Sequence, residues 1–137
     1  FLASLYKKNL VSLPLKFQKV SEKNISSYHL FTIQLSSDEF DRNKLYGYLA
    51  NYGIASQVHY MPVYLHPFYR SFGFKDQYCP NAENYFRNCL SIPLHQKLNY
   101  EEIYYVVDHL KKYFKLCILK SLWIIVSVFI AKKNWNK

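Results

Sequence analysis

The stretch "YHLFTIQLSSDEFDRNKLYGYLANYGIASQVHY", Tyr28 to Tyr60, changes its hydrophobic period twice and so decides the fold class. In "YHLFTIQL", His29, Phe31, Ile33 and Leu35 share one face and Tyr28, Leu30, Thr32 and Gln34 the other, the two-residue period of a strand. From Ser36 the period lengthens. Ser36 to Asp41 supplies several possible N-caps, including a Ser36 and Glu39 capping-box spacing, Leu45, Tyr48, Leu49 and Tyr52 recur at helical intervals, and Gly53 stands where a left-handed residue ends a helix. The period then returns to two over "IASQVHY", where a second strand is expected with Ile54 and Val58 on one face and Gln57 and His59 together on the other.

Downstream, "MPVYLHPFYR" carries Pro62 and Pro67, which remove backbone donors and fix φ, so the chain is expected to leave its sheet near Met61 as an ordered, extended loop. A short helix follows, with Asn81 as its cap and Ala82, Tyr85, Phe86 and Cys89 as its buried stripe. "LSIPL" reads as a third strand closed by Pro93. The last helix starts at "NYEE", with Asn99 as cap and Glu102 three residues on, and buries Ile103, Val106, Val107, Leu110 and Phe114. Upstream, residues 1–10 fit a helix with Phe1, Leu2 and Leu5 on one side, and "LVSLPL" reads as an extended connector. The whole is an α+β domain, a small antiparallel or mixed sheet with helices on one side.

Half of the 137 residues are hydrophobic, enough for one core, which excludes disorder for most of the chain. No GxGxxG or Walker loop is present, so phosphates are not gripped by a glycine-rich loop. The net charge of +9 is uneven, because residues 115–137 hold five lysines and no acid. The remaining excess is scattered among acids with no basic stripe, which argues against a nucleic-acid partner. Cys79, Cys89 and Cys117 form no CxxC and suggest a reducing, cytoplasmic setting. The opening "FLASLYKKNL" lacks the plan of a signal peptide and reads as the middle of a helix, as if the chain were a piece of something longer.

Beyond Phe114 the chain becomes "KLCILKSLWIIVSVFIAKKNWNK". Its uncharged part, Ser121 to Ala131, is 11 residues. Such a helix rises about 16 Å, roughly half the depth of a bilayer's hydrocarbon core. Weak membrane association through residues 116–131 is one expectation; a helix or strand buried against other sequence, and a tail foreign to the ancestral domain, are the others.

Metal binding finds no support, since His59, His66, Cys79 and His95 lack regular ligand spacing. No nucleophile and base are paired by the pattern, and no catalytic residue is assigned. The run from Gln57 to Tyr69 is different. Gln57, His59, Tyr60, Tyr64, His66 and Tyr69 offer aromatic faces and neutral hydrogen-bonding groups suited to sugars, ring systems and phosphate oxygens.

Three ordered motifs carry a family likeness: "SSYHLFTIQL", then "RNKLYGYLANYGIASQVHYMPVYLHPFY", then "CPNAENYFRNCLSIPLHQKLNYEEIYYVVDHL". Together they resemble the C-terminal small domain of the pyridoxal-phosphate-dependent sugar aminotransferases of the DegT/DnrJ/EryC1/StrS type. The likeness covers residues 1–114 and divides the chain into a helix and connector (1–24), the small domain (25–114) and a hydrophobic basic tail (115–137). It implies the C-terminal domain of a fold-type I transferase, acting in amino transfer from glutamate to a UDP-linked 4-keto-6-deoxy sugar of the pseudaminic acid kind. It implies a homodimer in the complete enzyme. It implies that Gln57, His59, Tyr60, Tyr64 and Tyr69 line the substrate cleft, Gln57, His59 and Tyr60 foremost, and that His29 is either a family site position or an internal anchor. Tyr64 stands where many members have a second histidine, and Gln96 where a proline is common. The cofactor lysine belongs to a large domain outside these residues, so the chain alone is expected to be inactive.

Overall fold

A computed structural model describes the backbone of residues 1–74 and 78–135 and the side chains of residues 1–74 and 78–123. Three strands, β1 (Leu15–Phe17), β2 (Phe31–Leu35) and β3 (Cys89–Ile92), form an antiparallel sheet in the order β1-β2-β3. In β2 the two-residue period holds: Phe31, Ile33 and Leu35 are buried, and Thr32 and Gln34 half-buried. The strand starts at Phe31 because Tyr28 takes a left-handed φ of 48°. That conformation is unusual for a bulky residue, and here the Tyr28 amide donates to Ser26 Oγ at 3.1 Å while Lys7 Nζ donates to its hydroxyl at 2.8 Å. The "LVSLPL" segment runs into an edge strand, β1, pairing Leu15 with Leu35 and Phe17 with Ile33. Pro14 precedes β1 at that edge, a position where its missing donor is tolerated.

Helices α1 (Leu2–Leu10), α2 (Arg42–Asn51) and α5 (Tyr100–Trp135) cover the apolar face. The buried stripe of α1 is Ala3, Tyr6 and Leu10, whereas Phe1 is 83% exposed. Tyr6 sets this rotation: its hydroxyl donates to the Pro93 carbonyl at 2.9 Å and its ring lies 5.1 Å from that of Phe31. The first helix is thus part of the core. Of the possible caps from Ser36 to Asp41, Asp41 is the one that caps α2, its Oδ1 accepting from the amides of Asn43 (2.7 Å) and Lys44 (3.2 Å). Ser37 instead closes a turn with the Glu39 amide. Leu45 and Leu49 are buried, and Gly53 takes φ 70° after the helix as expected.

The capping box of α5 forms as read: Asn99 N donates to Glu102 Oε2 (2.9 Å) and Glu102 N to Asn99 Oδ1 (2.8 Å). Ile103, Val106, Val107, Leu110 and Phe114 are all buried. The helix does not stop there. It runs unbroken for 36 residues to Trp135.

The second strand does not form. Only Gln57 pairs with the sheet, in one antiparallel bridge to Ser91. In that register the next hydrogen-bonded pairs would be Ala55 with Pro93 and His59 with Cys89. Pro93 has no N–H, and the Cys89 amide already donates to Tyr85 O at the end of the helix before it. Both continuations are blocked.

The proline-rich segment is ordered but helical rather than extended: a 3-10 turn at Val63–Leu65 and a short helix, α3 (Pro67–Ser71). Pro62 precedes the first and Pro67 opens the second, where a preset φ favours helix entry. In α4 (Pro80–Asn88) the cap is Cys79 rather than Asn81. Its expected stripe is open, with Ala82 and Tyr85 exposed and Phe86 half-buried, and Cys89 is buried as the first residue of β3. Nothing described in this chain packs over that face as a core.

Candidate functional site

Gln57 is fixed by backbone bonds, its amide donating to Ser91 O (3.0 Å) and its carbonyl accepting from Ser91 N (2.8 Å). Because Ser91 also stands opposite Thr32, the three residues form a row across the sheet face away from the core. The Gln57 side chain is exposed. His59 is not: it is 7% exposed, and neither ring nitrogen has a hydrogen-bond partner among the described residues. The two side chains, expected together on one face of a strand, thus differ in exposure. Past Gln57 no ladder holds the chain to a two-residue period, and the buried His59 ring lies edge-on to Tyr60, centroids 4.6 Å apart. An imidazole buried with two idle nitrogens is costly, and native structures rarely keep one without a reason.

The tyrosines separate into two kinds. Tyr60 is 73% and Tyr69 41% exposed, the latter edge-to-face with Phe68 at 5.3 Å. Tyr64 is tied inward, its hydroxyl donating to Glu83 Oε1 (2.9 Å) and accepting from the Cys79 amide (3.1 Å). Partial burial, and then the Glu83 carboxylate, hold its pKa above the ordinary value, opposed by the Cys79 amide. The structure thus brings His59 against Tyr60 and Tyr69 against Phe68, leaves Gln57 apart, and gives Tyr64 a bracing contact. Chemically the described residues offer a platform of rings and polar groups, with the Tyr64–Glu83 hydrogen bond as a brace.

Among the described residues, two of the clefts meet at the turn around Tyr28. One of about 530 Å³ is formed by Lys16, Thr32, Gln34, Tyr85 and the turn around Tyr28; another of about 700 Å³ lies between residues 1–3, the same turn and residues 94–96. Neither is lined by Gln57, His59, Tyr60, Tyr64 or Tyr69. His29 lines both and is exposed, so it is no internal anchor. The sequence offers one signal for this turn, the serine pair before Tyr28, since serine side chains close such turns.

Among the described residues, no three His, Cys, Asp or Glu side chains converge as metal ligands. Forming an imine with an aldehyde cofactor needs an amine in a shielded site. Every lysine of known burial is exposed except Lys7, which is half-buried and committed to Tyr28. The residues described here do not fit pyridoxal phosphate.

Comparison with known proteins places this geometry. The profile of the DegT/DnrJ/EryC1/StrS aminotransferase family matches residues 1–111. The UDP-4-amino-4,6-dideoxy-N-acetyl-beta-L-altrosamine transaminase of Campylobacter jejuni is 34% identical over 93 residues, 67% of this chain and 24% of that protein. Helicobacter pylori PseC, an aminotransferase involved in the biosynthesis of pseudoaminic acid, superposes with a TM-score of 0.72 at 27% identity, over 83% of this chain and 31% of that one. The PMP-form of Streptococcus pneumoniae Spr1654, assigned as a sugar aminotransferase, gives a TM-score of 0.77 at 29% identity, over 88% of this chain and 31% of that one. The chain spans less than a third of the length of these relatives. From its first helix through the buried part of its last, this polypeptide belongs to the DegT/DnrJ/EryC1/StrS aminotransferase family.

Proposed function

We propose that residues 1–114 are the small C-terminal domain of a nucleotide-sugar aminotransferase, and that the segment from Gln57 to Tyr69 is one wall of its sugar-nucleotide site. The observation that carries this is His59, buried with both nitrogens unpartnered beside the exposed ring of Tyr60, on the segment that carries the family motif. Such a residue awaits a partner that these residues do not supply. In the complete protein, Tyr60 and Tyr69 offer ring faces to a base or sugar, Gln57 a neutral donor and acceptor, and Tyr64 braces the turn that carries them. The reaction is amino transfer from glutamate to a UDP-linked 4-keto-6-deoxy sugar, a reading supported by likeness to the Campylobacter jejuni transaminase. Pyridoxal phosphate, when bound, supplies the amino-group relay from a domain outside these residues; the complete enzyme is a cytoplasmic homodimer, and the 137 residues alone are inactive.

The test joins residues 1–114 to the N-terminal portion of the Campylobacter jejuni relative and measures amino transfer to a UDP-linked 4-keto sugar. Activity that falls at least tenfold in Tyr60→Ala and His59→Ala is expected, with none from the chain alone. Transfer by the 137 residues alone, or a folded, active fusion indifferent to both substitutions, would overturn the reading.

A further inference from the structure

Helix α5 leaves the domain after Phe114 and continues to Trp135. Phe114 is 1% exposed, whereas Leu116, Ile118, Leu119, Leu122 and Trp123 are exposed at 49% to 73%. The family match ends at residue 111, so the aminotransferase reading gives this extension no task.

At helical spacing Leu116, Leu119 and Trp123 form one row and Ile118 and Leu122 the row beside it, with Cys117, Lys120 and Ser121 on the other side. The sequence then runs "IIVSVFIA", without charge, into Lys132 and Lys133. Five lysines and no acid occupy residues 115–137. An exposed apolar stripe bracketed by cations alone is complementary to hydrocarbon beneath a layer of phosphates.

We infer that the segment from Lys115 to Lys133 attaches this domain to the surface of an anionic phospholipid bilayer, its apolar side among the acyl chains of one leaflet and its lysines among the headgroup phosphates. Among the described residues no helix is long and apolar enough to cross a membrane. The uncharged stretch rises only about 16 Å, too short to reach the far surface, and lying in the plane of the interface it keeps the lysines at both of its ends level with the headgroups. A second copy of the chain is the competing occupant. It would cover the leucines, but it would also bring lysines together with no acid in either segment to offset them. The inference does not rest on the aminotransferase reading.

The experiment is flotation of the full 137-residue chain with vesicles of phosphatidylcholine alone, and of phosphatidylcholine with roughly one-third phosphatidylglycerol, at low and high salt. Binding to the anionic vesicles, lost at high salt, is expected. Replacing Lys115 and Lys120 by Gln should weaken it roughly 20- to 30-fold, from about fivefold per lysine. Leu119→Glu with Leu122→Glu should abolish it while leaving the thermal transition in place, since both side chains are exposed. Equal binding to neutral vesicles, or indifference to these substitutions, would overturn the inference. So would an oligomer in vesicle-free solution that the glutamates disperse, if no flotation accompanies it.

Discussion

The Tyr64 hydroxyl reaches Glu83 at 2.9 Å and receives the Cys79 amide at 3.1 Å, so a single phenol ties the 3-10 turn at Val63–Leu65 to the start of α4. That link explains how a segment paired to the sheet at one residue only, Gln57, stays ordered through two prolines. The turn is held from the side of α4 rather than by the ladder.

Tyr64→Phe removes both bonds and leaves the ring. Faster amide exchange is expected over Val63–Ser71 and at Cys79, with the core strand Phe31–Leu35 unchanged. Exchange that rises equally in both regions would show Tyr64 to be part of the global fold.

Asn99 and Glu102 close the start of the longest helix with two reciprocal bonds. Asn99→Ala should cost about 1 kcal/mol and lower the melting temperature by roughly 3–4 °C, while Asn99→Asp retains most of the stability. Thermal denaturation followed by circular dichroism measures both.

Tyr6 is fully buried, and burial, followed by the nearby Glu102 charge, raises its pKa well above the ordinary value. Above about pH 10 the unfolded chain releases this proton while the folded chain keeps it, so the contribution of Tyr6 is whole below that pH and shrinks as pH rises. Alkaline unfolding should steepen there, and Tyr6→Phe should reduce the slope by about 1.4 kcal/mol per pH unit. Tyr113, raised chiefly by burial as well, keeps part of the slope in place.

How much of this was legible depended on whether a residue's task was local. The period of Phe31, Ile33 and Leu35, the Asn99–Glu102 box and the glycine after α2 follow from neighbours a few positions apart, and all three could be read. The failed strand could not, because its fate depends on Pro93 and on the Cys89 amide, more than thirty residues downstream. At the left-handed Tyr28 the bond to Ser26 is local, whereas the partner of its hydroxyl, Lys7, lies twenty-one residues upstream. The five candidate residues were picked for their chemistry, which the sequence shows directly. Their division into open, buried and bracing side chains depends on where the chain turns after Gln57, which it does not.

Phe68 on α3 and Phe72 just after it, 65% and 67% exposed, hold their rings 4.9 Å apart in a tilted contact, and the ring of Tyr69 lies edge-on to Phe68. An open aromatic patch of this kind promotes association in isolation. Phe68→Ser with Phe72→Ser should lower the concentration-dependent mass seen by light scattering, with stability changed by no more than about 0.5 kcal/mol. An unchanged mass would place any self-association elsewhere.

The wall formed by Gln57 to Tyr69 is tested most directly by hydrogen exchange on the fusion of residues 1–114 with the N-terminal portion of the Campylobacter jejuni relative, with and without saturating UDP-linked sugar. Protection concentrated between His59 and Ser71 is the expected result. Protection confined to the cleft around Ser26 to Gln34, with the later segment unmoved, would contradict it.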